Sequence, residues 1–357
     1  FPAIWPLTEG SAGWGDAAVH VPWSLYRARG DATVLSEQYD SALRWVDFAV
    51  ATAASGRHPS RIERSPEPAA HEQHLWDTGW HYGEWLEPGE DVDAAIAKAS
   101  VADPASVATA YLSRSSDQLA QMARILGRAE DAEHYSGISA RSADAWRTEF
   151  LHADGSMTPP TQAIYARALH FGLVPDHLRS PAADRLAELV ADAGNHPGTG
   201  FLTTPYLLGV LASHGHVDVA YDLLFTEGEP GWLVMLERGA TTVWEEWGGV
   251  DSDGRPHASL NHFSKGTVIG FLHEYVAGLQ IVEPGYRRFR VAPVPGGGIT
   301  WARVHHDSPF GRIEVSWTLR GTDGSIHTSV PVGTTAEMVL PDGSRHELEA
   351  GTHDRSW

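Results

Sequence analysis

Apolar residues recur at the spacing of an α-helix through most of the first 280 residues. Between residues 31 and 56, one helical face carries Leu35, Tyr39, Leu43 and Val46, as the 3.6-residue repeat requires. About ten helices are predicted in this part of the chain. They are expected over residues 16–30, 31–56, 159–172, 181–193, 203–214, 216–226 and 265–279, with two long helices within 104–150.

Helices repeated at this interval bury their apolar faces by packing as pairs that close into a ring, with the connecting loops at its ends. We predict a mainly α fold, an (α/α)6 toroid or barrel over residues 1–282. Because such a ring usually has twelve helices, we expect its first helices to be missing from this chain. Residues 57–75 combine charges with Pro59, Pro66 and Pro68, which predicts a long exposed loop.

The pattern changes to a period of two beyond residue 283. Alternation predicts strands over residues 288–292, 299–304, 312–319 and 325–330. Turn sequences such as PGGG at 295–298 and PDG at 341–343 separate such runs. We predict a small antiparallel β-sandwich over residues 283–357 and assign no chemistry to it.

Composition limits the classes of partner that the chain is expected to bind. Twenty-six basic against 46 acidic residues give a net charge of −20, which argues against nucleic acid and against an anionic membrane surface. No apolar run reaches the ~20 residues that span a bilayer. The chain has no cysteine and its 20 histidines are scattered, so we expect no metal and no cofactor.

One stretch carries the strongest chemical pattern. The run GATTVWEEW at residues 239–247 is followed by SLNH at residues 259–262. Indole faces pack against the C–H faces of a pyranose, while carboxylate, amide and imidazole groups bind its hydroxyls and transfer protons. The alternative is that both indoles lie in the core and the acids are solvated. The candidate site residues are Trp244, Glu245, Trp247, Asn261 and His262.

Aromatic residues beside acids recur elsewhere. The run DTGWHYGEWLEP at residues 77–88 has too many loop-forming residues for a helix core. A cleft is one interpretation, and a surface loop with packed tryptophans is the other. Further candidate binding residues are Trp14, Trp80, Tyr82, Glu84, Trp85 and Trp232.

The central stretch, with GWGDA at residues 13–17 and GTGF at 198–201, resembles the bacterial α-L-rhamnosidases of glycoside hydrolase family 78. The resemblance covers nearly the whole chain. It implies an (α/α)6 barrel with a C-terminal β-sandwich and inverting hydrolysis of terminal α-L-rhamnosides. It also implies that Glu245 is the general base, that Asp16 and Trp14 belong to the substrate pocket, and that His262 contacts the sugar.

The general acid is where the chain departs from the family. Family members commonly have an acid four positions before the tryptophan of this Gly-Trp pair, and that position here is Gly10. Glu9 is one residue away and is the first candidate for the acid. Asp16 is the second, and Glu84 or a defective site remains open.

The expected function is therefore removal of terminal, non-reducing α-L-rhamnose from a glycoside, oligosaccharide or polysaccharide. The alternatives are a weak or inactive carbohydrate-binding relative and an (α/α)-barrel enzyme for another sugar. The chain opens without an initiator Met, so an upstream portion of the same protein is an expected partner. A homodimer is left open. The compartment is undetermined, with the cytoplasm slightly favoured by the lack of cysteine and of a visible signal.

Overall fold

The computed structural model describes residues 10–251 and 253–357. Thirteen α-helices occur in these residues, and single turns of tighter helix lie at Glu72–His74 and Pro284–Tyr286. The helices are α1 Ala17–Arg29, α2 Thr33–Ala53, α3 Pro59–Arg64, α4 Val92–Ala99, α5 Ala105–Ile125, α6 Ala129–Phe150, α7 Gln162–His170, α8 Asp176–Asp192, α9 Thr204–Ser213, α10 Val217–Leu224, α11 Trp232–Glu237, α12 Phe263–Gly266 and α13 Val268–Phe271. None is long and apolar enough to cross a bilayer within the described residues.

Consecutive helices pack as pairs: α1 with α2, α5 with α6, α7 with α8, and α9 with α10. The apolar face predicted for residues 31–56 is buried, since Leu35, Tyr39 and Val46 have no exposed surface. The long pair α5–α6 is joined by the Trp146 indole, whose N–H donates to the Ser106 carbonyl at 2.9 Å. The mainly helical fold is therefore confirmed.

Residues 57–75 are largely exposed, as predicted, but they are not one continuous loop. Pro59 opens α3, where proline is well tolerated because the first helical N–H has no partner within the helix. Arg61 of this helix is 2% exposed and forms ion pairs with Asp77 at 3.0 Å and Asp103 at 2.7 Å. Long-range pairing with carboxylates therefore buries Arg61 within a segment that is otherwise mostly exposed.

The single helix predicted over 265–279 is also wrong. The segment breaks into α12, α13 and a wider π-helical turn at Leu272–Val276. Its last carbonyls bond to the β region: Val294 N–H donates to Tyr275 O at 2.9 Å, and the Trp317 indole donates to Val276 O at 2.8 Å. These external donors end the regular helix.

The C-terminal region contains eight strands: β1 Leu279–Ile281, β2 Arg288–Val291, β3 Trp301–Ser308, β4 Gly311–Arg320, β5 Asp323–Val330, β6 Thr335–Val339, β7 Arg345–Leu348 and β8 Gly351–Ser356. They form two four-stranded sheets, with strand orders β1-β2-β6-β7 and β3-β4-β5-β8. Pairing is antiparallel except between β2 and β6, which are parallel, so the prediction of an antiparallel sandwich needs this correction. β1 lies before residue 283 and pairs with β2.

Candidate functional site

A cavity of about 550 Å³ lies where the loop before α1, the loop after Glu72–His74, the start of α9 and the segments around 245 and 262 meet. Aromatic side chains form most of its wall. Glu245 is the only carboxylate in its lining among the described residues. We call it the aromatic pocket; it is lined by Gly13, Trp14, Ala17, His20, Val21, Tyr82, Trp85, Tyr111, Phe201, Leu202, Pro205, Tyr206, Glu245, His262 and Phe263.

Backbone pairing holds Glu245 at the pocket. Its N–H donates to the Ser259 carbonyl at 2.9 Å, and the Ser259 N–H donates back to Glu245 Oε2 at 2.8 Å. The His262 N–H donates to the Val243 carbonyl at 2.9 Å. The runs at residues 239–247 and 259–262 therefore lie side by side, which brings the Glu245 carboxylate and the His262 imidazole together.

His262 completes this pair. Its Nε2 lies 4.0 Å from Glu245 Oε1, and its ring centre lies 4.7 Å from that of Phe201. Burial lowers the pKa of His262 below its usual value, against the opposing Glu245 charge and with a smaller lowering by Lys265. The ring is consequently neutral at neutral pH and offers one donor and one acceptor.

Three aromatic rings in mutual contact form another part of the pocket wall. The Trp14 and Tyr82 ring centres are 4.3 Å apart, and Trp85 meets Tyr82 edge-on at 4.9 Å. Trp85 is fixed in turn, since its carbonyl accepts from the Phe201 N–H at 2.8 Å. Such a wall suits the apolar face of a sugar ring.

Glu84 lies behind this wall and is not in the pocket lining. Its Oε2 accepts from Arg167 at 2.7 Å and from the Thr203 hydroxyl at 2.7 Å, while Oε1 accepts from the Thr203 N–H at 2.9 Å. The carboxylate is fully engaged with protein donors. Its position suggests that it fixes the wall, whereas the sequence had suggested direct contact with the sugar.

Asp16 is also enclosed, with no exposed surface. One oxygen accepts from the Trp45 indole at 2.9 Å and from the Ser115 hydroxyl at 2.5 Å, and the other accepts from the Gly13 N–H at 2.7 Å. Both carboxylate oxygens are thus engaged by protein donors, and Asp16 is not in the pocket lining. Glu9, the other predicted acid, lies outside the described residues.

The remaining candidate aromatics divide by burial. Trp232 and Trp244 are 7% and 3% exposed and pack in the largest apolar core, away from the pocket lining. Trp247 meets Trp232 edge-on at 5.1 Å and borders a different cavity. Trp80 is half-buried and meets Tyr82 edge-on at 4.7 Å. The positions of Trp232, Trp244 and Trp247 favour the core interpretation, because all three pack in this core, whereas Trp80 is partly exposed.

Asn261 does not line the pocket either, although it is adjacent to His262. Its side chain is exposed, and its N–H donates to the Ser259 hydroxyl at 3.2 Å. The loop turns it away from the cavity.

Sequence reasoning missed several lining residues, among them His20, Tyr111 and Tyr206. They lie on α1, α5 and α9, where each also fits a helical apolar pattern, so no local signal separated them from core residues. His20 contacts Ser115 at 3.1 Å. Burial lowers the pKa of His20 to about 4, against the raising effect of Asp16. Within residues 10–251 and 253–357, no group of three or more His, Asp or Glu could hold a metal ion.

A carboxylate and a histidine on an aromatic pocket, carried by paired helices, are features of the helical-hairpin glycosidases. The sequence model described as the bacterial alpha-L-rhamnosidase 6 hairpin glycosidase domain matches residues 1–276, and that of the bacterial alpha-L-rhamnosidase C-terminal domain matches 278–354. The chain therefore belongs to the bacterial α-L-rhamnosidase family, as the sequence motifs indicated.

Individual relatives agree with this placement. An α-L-rhamnosidase of Streptomyces avermitilis is 36% identical over 344 residues, covering 95% of this chain and 30% of the relative. The crystal structure of Streptomyces avermitilis α-L-rhamnosidase complexed with L-rhamnose has a TM-score of 0.83 at 34% identity, covering 100% of this chain and 34% of that one. The crystal structure of native α-L-rhamnosidase from Aspergillus terreus has a TM-score of 0.86 at 31% identity, covering 100% of this chain and 40% of that one. The chain spans about a third of the length of the curated relatives it matches.

Proposed function

We propose that this chain is the catalytic part of an exo-acting α-L-rhamnosidase that releases terminal, non-reducing α-L-rhamnose with inversion. The observation that carries the proposal is Glu245, a carboxylate that lies beside His262 and lines the same aromatic pocket as Trp14. L-rhamnose is the ligand named for the similar Streptomyces structure. The substrates are then rhamnose-containing glycosides, oligosaccharides or polysaccharides.

Glu245 acts as the general base in this proposal. Inversion needs an ionised carboxylate to activate water on one face of the sugar and a protonated acid on the other, about 6.5–9.5 Å away. Oε2 of Glu245 is held by the Ser259 N–H, while Oε1 faces His262. One oxygen is therefore anchored and the other is available to a water molecule.

We assign the general acid to Glu9. Asp16 accepts hydrogen bonds from three protein donors and has no exposed surface, so it is poorly placed to protonate a leaving oxygen. Glu9 precedes Gly13 of the pocket by only four residues in the chain. Asp16 is then a positioning residue that fixes the loop before α1.

The base is tested by Glu245→Gln, with hydrolysis of an aryl α-L-rhamnoside measured and the anomer of the released sugar followed by NMR. A loss of about 10³-fold or more in kcat, in a folded variant, supports the role. Glu246→Gln is the matched control. Glu246 is the next residue in the chain, but it lines the separate cavity that Trp247 also borders. Activity retained in Glu245→Gln removes this residue from the mechanism.

The role of Glu9 as the general acid is tested by varying the leaving group of the substrate. A variant without its acid is slow on alkyl rhamnosides yet retains activity on rhamnosides of acidic phenols, which leave without protonation. Glu9→Gln is expected to show this split, and Glu245→Gln is expected to lose both activities. If Asp16→Asn shows the split and Glu9→Gln does not, the assignment is reversed.

A second candidate function is rhamnose binding without turnover. Two observations favour it: Gly10 occupies the position where the family motif has its acid, and Glu245 is the sole carboxylate lining the pocket in the described residues. Calorimetric binding of rhamnose by the wild-type protein, with no hydrolysis of any nitrophenyl glycoside in a panel, would establish this alternative over the enzyme.

A further inference from the structure

We propose that Lys265 is a positioning residue for Glu245: its buried ammonium holds the loop that carries the carboxylate, and catalysis requires that ammonium to be protonated. The inference rests on the proposed function of Glu245 as general base. Lys265 is one of only two lysines in the chain, the other being Lys98.

Lys265 reaches Glu245 from behind the pocket. It lies on α12, three residues after His262, and is 2% exposed. Its Nζ donates a hydrogen bond to the Glu245 carbonyl oxygen. The main chain of the proposed base is thus held on one side by Ser259 and on the other by this ammonium.

Aromatic faces enclose the rest of the ammonium. Nζ lies 4.9 Å from the centre of the Trp247 ring and 5.0 Å from that of Phe201. A cation in this position is attracted to both ring faces. Since Phe201 also contacts His262 at 4.7 Å, Lys265 connects both polar groups of the pocket.

The charges facing Lys265 come from three places. Glu245 and Glu246 lie on the loop that it binds, and His262 lies on its own segment. Lys265 also borders a second cavity of about 670 Å³, whose lining includes Glu87, Glu90, Asp91, Glu229 and His257.

The acids of this second cavity have other partners. Glu87 and Glu90 pair with Lys98, Asp91 caps α4, and Glu229 pairs with Arg238. His257 faces Asp251 at 3.5 Å. In the described part of the chain, no carboxylate lies within ion-pair distance of Lys265 Nζ. The Glu245 carbonyl is therefore the principal anchor of the ammonium.

The protonation state of Lys265 is consequently sensitive to pH. Burial lowers the pKa of Lys265 to about 8, although the Glu245 and Glu246 charges act to raise it. A charged donor makes a hydrogen bond roughly twice as strong as a neutral one. Deprotonation of Lys265 then weakens the bond that holds the Glu245 main chain. It also removes the positive charge that offsets the carboxylates of Glu245 and Glu246.

The first experiment follows the lysine directly, without substrate. In protein labelled with ¹³C and ¹⁵N at lysine, Lys265 is expected to titrate near pH 8. Lys98 is expected to titrate above its usual value, because burial lowers its pKa but its partners Glu87 and Glu90 together raise it by more. Glu245→Gln should lower the Lys265 midpoint. Titration of Lys265 at or above the ordinary lysine value, or a midpoint that Glu245→Gln leaves unchanged, overturns the proposal.

The second experiment measures kcat against pH for the wild type, Lys265→Arg and Lys265→Met. The wild-type kcat should fall above pH about 8. Lys265→Arg should keep its activity at higher pH, because a guanidinium remains protonated. At every pH, the kcat of Lys265→Met should lie about tenfold or more below the wild-type maximum, and this variant should lack the alkaline decline. Its affinity for rhamnose should stay within about twofold of the wild type, since Lys265 does not line the aromatic pocket.

Lys98→Met is the control, and its pH profile should match the wild type. If Lys265→Met keeps the wild-type kcat and alkaline decline, the positioning role is excluded. If the wild type hydrolyses no rhamnoside, the proposed function fails instead. The lysine titration, which needs no turnover, still reports whether Lys265 and Glu245 are coupled.

Discussion

His262 Nε2 lies 4.0 Å from Glu245 Oε1 in the lining of the aromatic pocket. The residues are seventeen positions apart, and paired main chains bring them together through Ser259 and Val243. Because burial lowers the pKa of His262, this pair consists of an anion and a neutral ring at neutral pH. The histidine is therefore available to bind a sugar hydroxyl next to the base.

We expect His262→Ala to weaken rhamnose binding by about tenfold, the equivalent of one lost hydrogen bond of about 1.4 kcal/mol. KM should rise more than kcat falls if the ring contacts the ground-state sugar. Calorimetry and steady-state kinetics measure both effects. His257→Ala is the control, since His257 borders the second cavity. Unchanged affinity in His262→Ala would remove the residue from the sugar contacts.

Asp16→Asn should act mainly on stability. The new amide presents donors where Trp45, Ser115 and Gly13 already donate, and an unsatisfied buried group costs about 1–3 kcal/mol. Thermal unfolding should show a clear fall in Tm. Asp31→Asn should change it less, because Asp31 is exposed. A full loss of turnover in Asp16→Asn with an unchanged Tm would instead identify Asp16 as the acid.

Glu84→Gln is predicted to be strongly destabilising. Glu84 and Arg167 are 8% and 3% exposed and lie 2.7 Å apart, and removing one partner of a buried pair costs about 3–5 kcal/mol. Denaturant unfolding measures the loss. The matched control is Glu188→Gln in the exposed pair with Arg185, worth less than about 1 kcal/mol. Equal effects from the two variants would contradict the buried role of Glu84.

Lys265→Met should leave the fold stable even as activity falls. The folded-state pKa of Lys265, about 8, lies below its usual 10.5. Below pH 8 the buried charge costs free energy, and between these two values stability rises with pH because the unfolded chain binds more protons. Replacing the charge should therefore raise or maintain Tm at neutral pH, with the difference shrinking at alkaline pH. A large fall in Tm would mean that the ammonium is a net stabilising group.

Much of the fold could be predicted because it depends on local periodicity. The apolar spacing of α2 and the alternation in β4 correspond to buried faces in the structure. The predictions missed helix α3 within residues 57–75 and the interruptions of the helix over residues 265–279, for one reason. In both, partners distant in sequence decide the conformation: carboxylates around Arg61, and the β region around Tyr275.

The sequence by itself determined the fold class, the family and the candidate site around Glu245, because residue spacing and residue chemistry are local properties of the chain. Only the tertiary structure decided which aromatic residues face the pocket: Trp14, Tyr82 and Trp85 line it, whereas Trp232 and Trp244 lie in the core. Spacing defines the face of an element on which a side chain lies. Whether that face meets a cavity or a packed neighbour depends on residues far away in the chain.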